Sequence, residues 1–314
     1  MDVAAPLLER FQAFAAGEPL SLPGHGQTPE RHRRLADCAR EDLSLARLVE
    51  GHSDALAILA EAGAPVREGA LYAVWASDGP ASQLNAQPCG PDGWRLDGVK
   101  QYCSGSSLVT AALVTAHFGS EVLLFDVPLG VAGVSVQPSN WTSPALADTM
   151  TAPVRFSDVR SAFLVGPTDF YLQRPGFWHG ALGPAACWAG GALSLIDAAT
   201  ASARRDAHAE AHAGALLAAA WSFNAWLEQA GREIDADPLD RAHQAQTRAL
   251  KVRHLIERLC TEVIDRFGRA TGPGLLAFTP QVGRQHHSLQ LYLRQCHAER
   301  DLEVIGRQER PPRA

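Results

Sequence analysis

Apolar positions between Val3 and Gly63 recur every three or four residues, the period of a helix with one buried face. Leu7, Leu8, Phe11 and Phe14 mark the first such run, and the stretch LPGHGQTPE breaks it. A second run starts at Glu30 and passes through Leu35, Cys38, Leu43, Leu45 and Leu48. A third covers His52 to Ala62, where Gly63 and Pro65 stop it. From about Gly69 to Gly166 the period changes. Short runs rich in Val and aromatics, from LYAVW to AFLVG, alternate with turn residues at 78–80, 90–93, 128–130 and 138–140. This predicts the short strands of an antiparallel sandwich or barrel. No helix-length segment separates them, which argues against a parallel Rossmann sheet. From Gly176 the helical period returns. Four amphipathic segments, 192–207, 209–236, 238–268 and 283–306, predict a helix bundle. The expected organisation is a helical region 1–67, a β domain 68–167 and a bundle 168–314.

Composition narrows the functional classes. The 314 residues carry 28 Lys plus Arg against 34 Asp plus Glu, a formal charge of −6. No overall positive field draws such a chain onto nucleic acid. The six cysteines include no CxxC pair, which argues against zinc knuckles and a thioredoxin motif. The start MDVAAPLLER has acids among its first residues and reads as no secretory leader. No run of about 18 apolar residues suggests a membrane span. A soluble, cytoplasmic protein is the expectation.

The chemistry-bearing stretches lie in the β region and the last helix. GWRLDGVKQYCSGSS carries Gly-x-Lys, an aromatic, one residue, Ser and then small residues. LYAVWASD precedes it; TAPVRFSDVRSAFLVG, FGRATGPG and YLRQCHAERDLEVIG follow. In this order, from about Leu43 to Gly306, they resemble the acyl-CoA dehydrogenase superfamily. The resemblance implies an α+β fold: N-terminal helices, a central antiparallel β-barrel or sandwich, and a C-terminal four-helix bundle. It also implies FAD, held between the β domain and the bundle. A flavin ring wants apolar or aromatic surface on its faces and hydrogen-bond donors at its edge. Tyr102 and Ser104, two apart on a strand, are expected to leave it on one face. By resemblance Tyr102 flanks the ring and Ser104 bonds it near N5. Val74 and Trp75 meet its pyrimidine side, and Cys103 lies within the same binding stretch. The plain alternative makes Tyr102 and Trp75 sheet core and Ser104 a strand cap.

Two departures from the family pattern bear on the reaction. The Arg-x-x-Phe-Gly motif that meets a partner subunit's cofactor is matched only by Arg205, because Asp206-Ala207-His208 follow it. The Glu-Gly-Thr loop that carries the family's catalytic base is due near Leu293, and no Glu-Gly pair stands there. SLQLYLRQCHAERDL reads instead as uninterrupted helix, which leaves His297 and Glu299 as the nearest groups able to move a proton. The leading reading is a dehydrogenase that oxidises a CH–CH bond of an acyl thioester or related substrate, with hydride transfer to FAD. The alternatives are a flavin monooxygenase of the same fold and a catalytically degenerate binding or scaffold subunit. The expected partners are a small-molecule substrate, such as an acyl-CoA, and an unidentified electron-transfer protein or flavin reductase. A second copy of the chain is also expected, in a homodimer or homotetramer, from the apolar Leu216, Leu217, Trp221, Phe223 and Trp226. His208 and His212 are four apart, but Glu210 is out of the HExxH position and no third metal ligand is evident. FWHGALGPAACWAGG is expected to pack closely against the β domain, with Phe177, Trp178 and His179 as alternative cavity-lining residues.

Overall fold

The computed structural model describes residues 4–79, 83–91, 93–201 and 205–310, with only the backbone of Ala4 and Ala5. The tips of the turns expected at 78–80 and 90–93, the ends of the expected domains and part of the helix expected at 192–207 lie outside the described residues. The chain divides into two compact units. The first comprises Met1–Pro19, Arg47–Ser143 and Ala147–Phe177; the second comprises Leu20–Ala46, Pro144–Leu146 and Trp178–Ala314. The fold is α+β.

The first unit holds α1 (Ala4–Ala16), most of α3 (Leu43–Glu61), all the strands and the short helix α4 (Phe170–Gln173), and the division falls within the short helix α5 (Gly176–Gly180). The strands are β1 (Tyr72–Trp75), β2 (Leu84–Pro88), β3 (Trp94–Cys103), β4 (Ala111–Phe118), β5 (Glu121–Pro128), β6 (Val134–Val136), β7 (Ala152–Val159) and β8 (Phe163–Leu164). They form one sheet in the order β6-β7-β3-β2-β4-β5-β8, with β1 beside β4. Pairing is antiparallel except where β1 and β2 run parallel to β4. The first six residues of β4, AALVTA, are buried without alternation, as expected of a strand covered on both faces. Ala55, Ile58 and Leu59 of α3 pack with Tyr72, Leu113 and Leu124 into the core of this unit.

The second unit contains α2 (Thr28–Glu41), α6 (Leu182–Thr200), α7 (Ala207–Ala236), α8 (Ala245–Thr271), α9 (Pro273–Phe278), α10 (Pro280–Tyr292) and α11 (Glu299–Glu309). Nearly every side of α6 is buried. Its glycines set the closeness of packing: a Cβ on Gly190 would lie 2.1 Å from the Ala36 carbonyl oxygen. The dense Gly and Ala stretch therefore packs against α2 of its own unit. Asp235 of α7 fixes the start of α2, accepting from Gly26 N at 3.0 Å, Thr28 N at 2.9 Å and Thr28 Oγ1 at 2.5 Å.

Two helix boundaries differ from the periodicity. The break expected near residues 49–51 falls at Asp42, which is extended. Its carboxylate accepts from Ser44 N at 2.9 Å and Leu45 N at 3.3 Å, so it caps α3. Apolar spacing continues through this point and hides the break. The last helix is also interrupted. Residues 293–295 tighten to a 3₁₀ turn, Cys296 is extended, and Ala298 sits at φ 49, ψ −113. Arg253 Nη2 donates to the Gln295 carbonyl at 3.0 Å, satisfying a group at the end of the preceding helix.

Candidate functional site

The two β-region motifs are joined by an ion pair between a buried lysine and an exposed aspartate. Lys100 of β3 is fully buried; its ammonium donates to Asp78 Oδ1 at 2.6 Å and to Thr115 Oγ1 at 2.8 Å. His117 Nε2 lies 2.8 Å from the other Asp78 oxygen. Burial holds the Lys100 ammonium below its usual range, with Asp78 partly offsetting it. Partial burial pushes the Asp78 carboxyl up, but the bonds from Lys100 and His117 bring it below its ordinary value. In the sequence this lysine stands only as a letter of the Gly-x-Lys motif. Its work in the fold is to tie β3 to the end of β1.

α3 and β1 flank a narrow crevice of about 10 Å³, room for about one water. Arg47, Leu48 and Gly51 of α3 line it, with Tyr72, Ala73 and Val74 of β1. Ser104 and Val109 complete it. Two of the expected cofactor residues, Val74 and Ser104, thus share one cleft. Trp75 is buried behind it and donates its ring N–H to the Ser104 carbonyl at 3.0 Å. The Ser104 hydroxyl accepts from Thr151 Oγ1 at 3.2 Å. Gly105 follows at φ 76, donates its N–H to Thr149 O at 2.7 Å, and leaves only 3.2 Å between an added Cβ and Leu48. That approach needs a residue without a side chain.

The expected common face for Tyr102 and Ser104 does not form. Pairing of β3 with β7 shifts register between Lys100 and Cys103, Tyr102 takes φ 56, and Ser104 lies in the turn beyond the strand. The simple two-residue alternation ends at such an irregularity. Tyr102 is 58% exposed. Cys103 is buried, and burial pushes its thiol up to about 12, so it is no nucleophile near neutral pH.

His52 supports the cleft from behind. Its Nδ1 accepts the Tyr72 N–H at 3.1 Å, and Phe11 meets its ring edge-on. Burial pushes this imidazole down to about 4. Among the described residues β1 has a strand partner, β4, along one edge only. The cleft therefore combines main-chain groups of a strand edge, a hydroxyl, a guanidinium and aliphatic surface. These are the group types that meet a flat apolar ring with a polar edge, and the crevice between them admits about one water, not a ring. Arg47, Gly51 and His52 were missed in the sequence, because RLVEGHSD reads there only as amphipathic helix.

The remaining expected residues, Phe177 apart, lie in the second unit. Arg205 is exposed before α7 and lies 3.8 Å from Glu210. Asp206, next to it, caps that helix through the N–H groups of His208 and Ala209. His297 and Glu299 are not on one helix. His297 stands in the break between α10 and α11, and Glu299 begins α11. Both are exposed. The buried carboxylate of this segment is Asp301, which accepts the His297 N–H at 3.3 Å and lies 3.5 Å from His297 Nδ1. His179 is buried, with Nε2 3.1 Å from Pro238 O, and Phe177 packs edge-on against Tyr171. Among the described residues no three His, Cys, Asp or Glu side chains gather as a metal site, and no helix is long and apolar enough to cross a membrane.

No protein-family model matches the chain, and no curated protein matches it. Solved structures do. The dibenzothiophene monooxygenase TdsC from Paenibacillus sp. A11-2, solved with FMN and indole, is 19% identical with a TM-score of 0.79. The match covers 99% of this chain and 98% of that one. Glutaryl-CoA dehydrogenase from Mycobacterium smegmatis is 17% identical with a TM-score of 0.78, covering 100% of this chain and 88% of that one. The nitrososynthase from Micromonospora carbonacea var. africana is 18% identical with a TM-score of 0.75, covering 99% and 96%. The chain has the acyl-CoA dehydrogenase-like fold.

Proposed function

We propose that this chain is a flavin-dependent oxidoreductase, and within that class a monooxygenase. The observation that carries the choice is the break at residues 296–298. Desaturation of an acyl thioester needs a carboxylate to take the α-proton as hydride leaves. Residues 293–298 contain none, and the nearest buried carboxylate, Asp301, is engaged with the His297 main chain. A cysteine and a histidine occupy the break instead. An imidazole can relay a proton through its two ring nitrogens, the role this reading gives His297. Reduced flavin supplies two electrons, one oxygen atom enters the substrate and the other leaves as water. TdsC, a monooxygenase solved with FMN, and the nitrososynthase support this reading.

In this reading Val74 and Ser104 hold the flavin edge, Trp75 buttresses Ser104, and Tyr102 extends an aromatic surface. Either FMN or FAD serves the chemistry. A separate reductase supplies the reduced flavin, and the substrate is a small molecule. The dehydrogenase reading rests on Glu299 and on the likeness to glutaryl-CoA dehydrogenase. Rapid mixing of the anaerobically reduced flavoprotein with oxygen separates the two. The monooxygenase returns to the oxidised spectrum in two phases, through a species absorbing unlike oxidised flavin. A single slow phase supports the dehydrogenase and refutes the proposal.

A further inference from the structure

We infer that the outer face of α7 is an interface between two copies of this chain, paired antiparallel about a twofold axis between Leu217 and Ala218. The inner side of this helix is accounted for: Leu216, Ala219, Phe223, Leu227 and Ala230 are buried in its own unit. A second apolar row runs along the opposite side. Ala211, Gly214, Ala218, Trp221 and Ala225 recur at alternating steps of three and four residues, the spacing of a helix-pair seam. The first four are exposed, Trp221 at 73%, and Leu217 beside them is 57% exposed. No Asp, Glu, Lys or Arg interrupts the helix from Ala211 to Leu227, about 25 Å of length. A helix apolar on all sides is one that is covered on all sides. Gly214 points the same way. A glycine inside a helix weakens it, and a Cβ here would stand in open space. Nothing in its own unit needs the missing side chain, whereas a helix approaching from outside does.

The occupant is a second copy because the row complements itself when reversed. With the axis between Leu217 and Ala218, Trp221 of each copy lies on Gly214 of the other and Leu217 lies on Ala218, so each large side chain meets a small one. Charge favours the same register. Glu228, exposed and ion-paired within its helix to Arg232, reaches the start of the other α7. There it falls between Arg205 and His208, both exposed, while Asp206 is turned to the helix's own N–H groups. On the flank of the seam, α2 and α7 wall a groove of about 670 Å³, with Leu193 and Ile196 of α6 in its floor. Arg33 pairs with Glu30 and Asp37, and Arg40 with Asp197, along the rim of that groove. With those charges answered, the groove offers a partner chiefly its apolar floor.

The test joins sedimentation equilibrium of the intact chain with disulfide trapping. Wild type should associate in even-numbered assemblies at micromolar concentration. Gly214→Leu, whose side chain projects only outward, should keep the circular dichroism of wild type and raise the dissociation constant at least about tenfold. Under mild oxidation Ala218→Cys should give a covalent dimer, because position 218 lies beside the axis, within disulfide reach of its counterpart. Ala211→Cys should stay unlinked, its counterpart standing about 20 Å away along the helix. Wild type in the same oxidant controls for the six native cysteines. A monomeric wild type, a Gly214→Leu variant that associates as well as wild type, or linkage at 211 equal to that at 218 overturns the inference. Should Gly214→Leu fail to fold, the cysteine variants decide alone: linkage at 218 and not at 211 supports the pairing, and any other pattern overturns it.

Discussion

Replacing His52 with glutamine should remove a specific part of the acid sensitivity of this fold. His52 is 5% exposed and accepts the Tyr72 N–H on Nδ1. A proton on Nδ1 would set donor against donor and charge a ring held in the core. The imidazole therefore titrates at about 4 in the folded chain, against about 6.5 when unfolded. Above pH 6.5 both states are neutral and the histidine contributes no pH dependence. As the pH falls below 6.5 the unfolded chain takes up a proton that the folded chain refuses until about pH 4, so stability is lost across that window. The slope is about 1.4 kcal/mol per pH unit, about 2 kcal/mol between pH 6.5 and 5 and about 3 kcal/mol in all. A glutamine carbonyl can accept the same N–H without titrating. The assay is urea unfolding of wild type and His52→Gln between pH 5 and 7.5, taking the difference at each pH. Ionisations shared by both proteins cancel in it. Wild type should lose stability relative to the variant by about 2 kcal/mol from pH 6.5 to 5. A difference that stays flat with pH would show that His52 titrates normally, and would remove the reason to place it behind β1.

Ser104→Ala should weaken flavin binding by about 0.5–1.5 kcal/mol, the net value of one neutral hydrogen bond, with unfolding unchanged; equilibrium titration with FMN checks it. Gly190→Ala should destabilise the second unit by roughly 1–3 kcal/mol, because its Cβ would meet the Ala36 carbonyl at 2.1 Å; urea unfolding reads the loss. His297→Ala should keep flavin binding and lower turnover of an identified substrate, whereas Glu299→Gln should leave turnover near wild type; the reverse ranking in steady-state assays restores the dehydrogenase. Homo-oligomer formation through α7 should fail in Trp221→Glu, since this tryptophan is 73% exposed while Leu216 and Phe223 are spent on the unit's own core; light scattering of wild type and variant decides it.

The order of helices, strands and helices was legible because the period of apolar positions changes near Gly69 and again near Gly176. The breaks inside helical stretches were not. At Asp42 and at 296–298 the apolar spacing runs on, and the interruption is set by a cap and by a carbonyl taken up by Arg253. Those are tertiary facts with no periodic signature. In the candidate site, Val74 and Ser104 were named through motif resemblance, and both line the crevice between α3 and β1. The shared face of Tyr102 and Ser104 failed because an irregularity in β3 breaks the alternation. Arg47, Gly51 and His52 escaped notice because residues on an amphipathic helix announce their burial and not what they face.

The most direct test of the account is equilibrium titration of the wild-type chain with FMN and FAD. Wild type should take up one of the two flavins at micromolar concentration or below. A chain that stays colourless with both flavins contradicts the account.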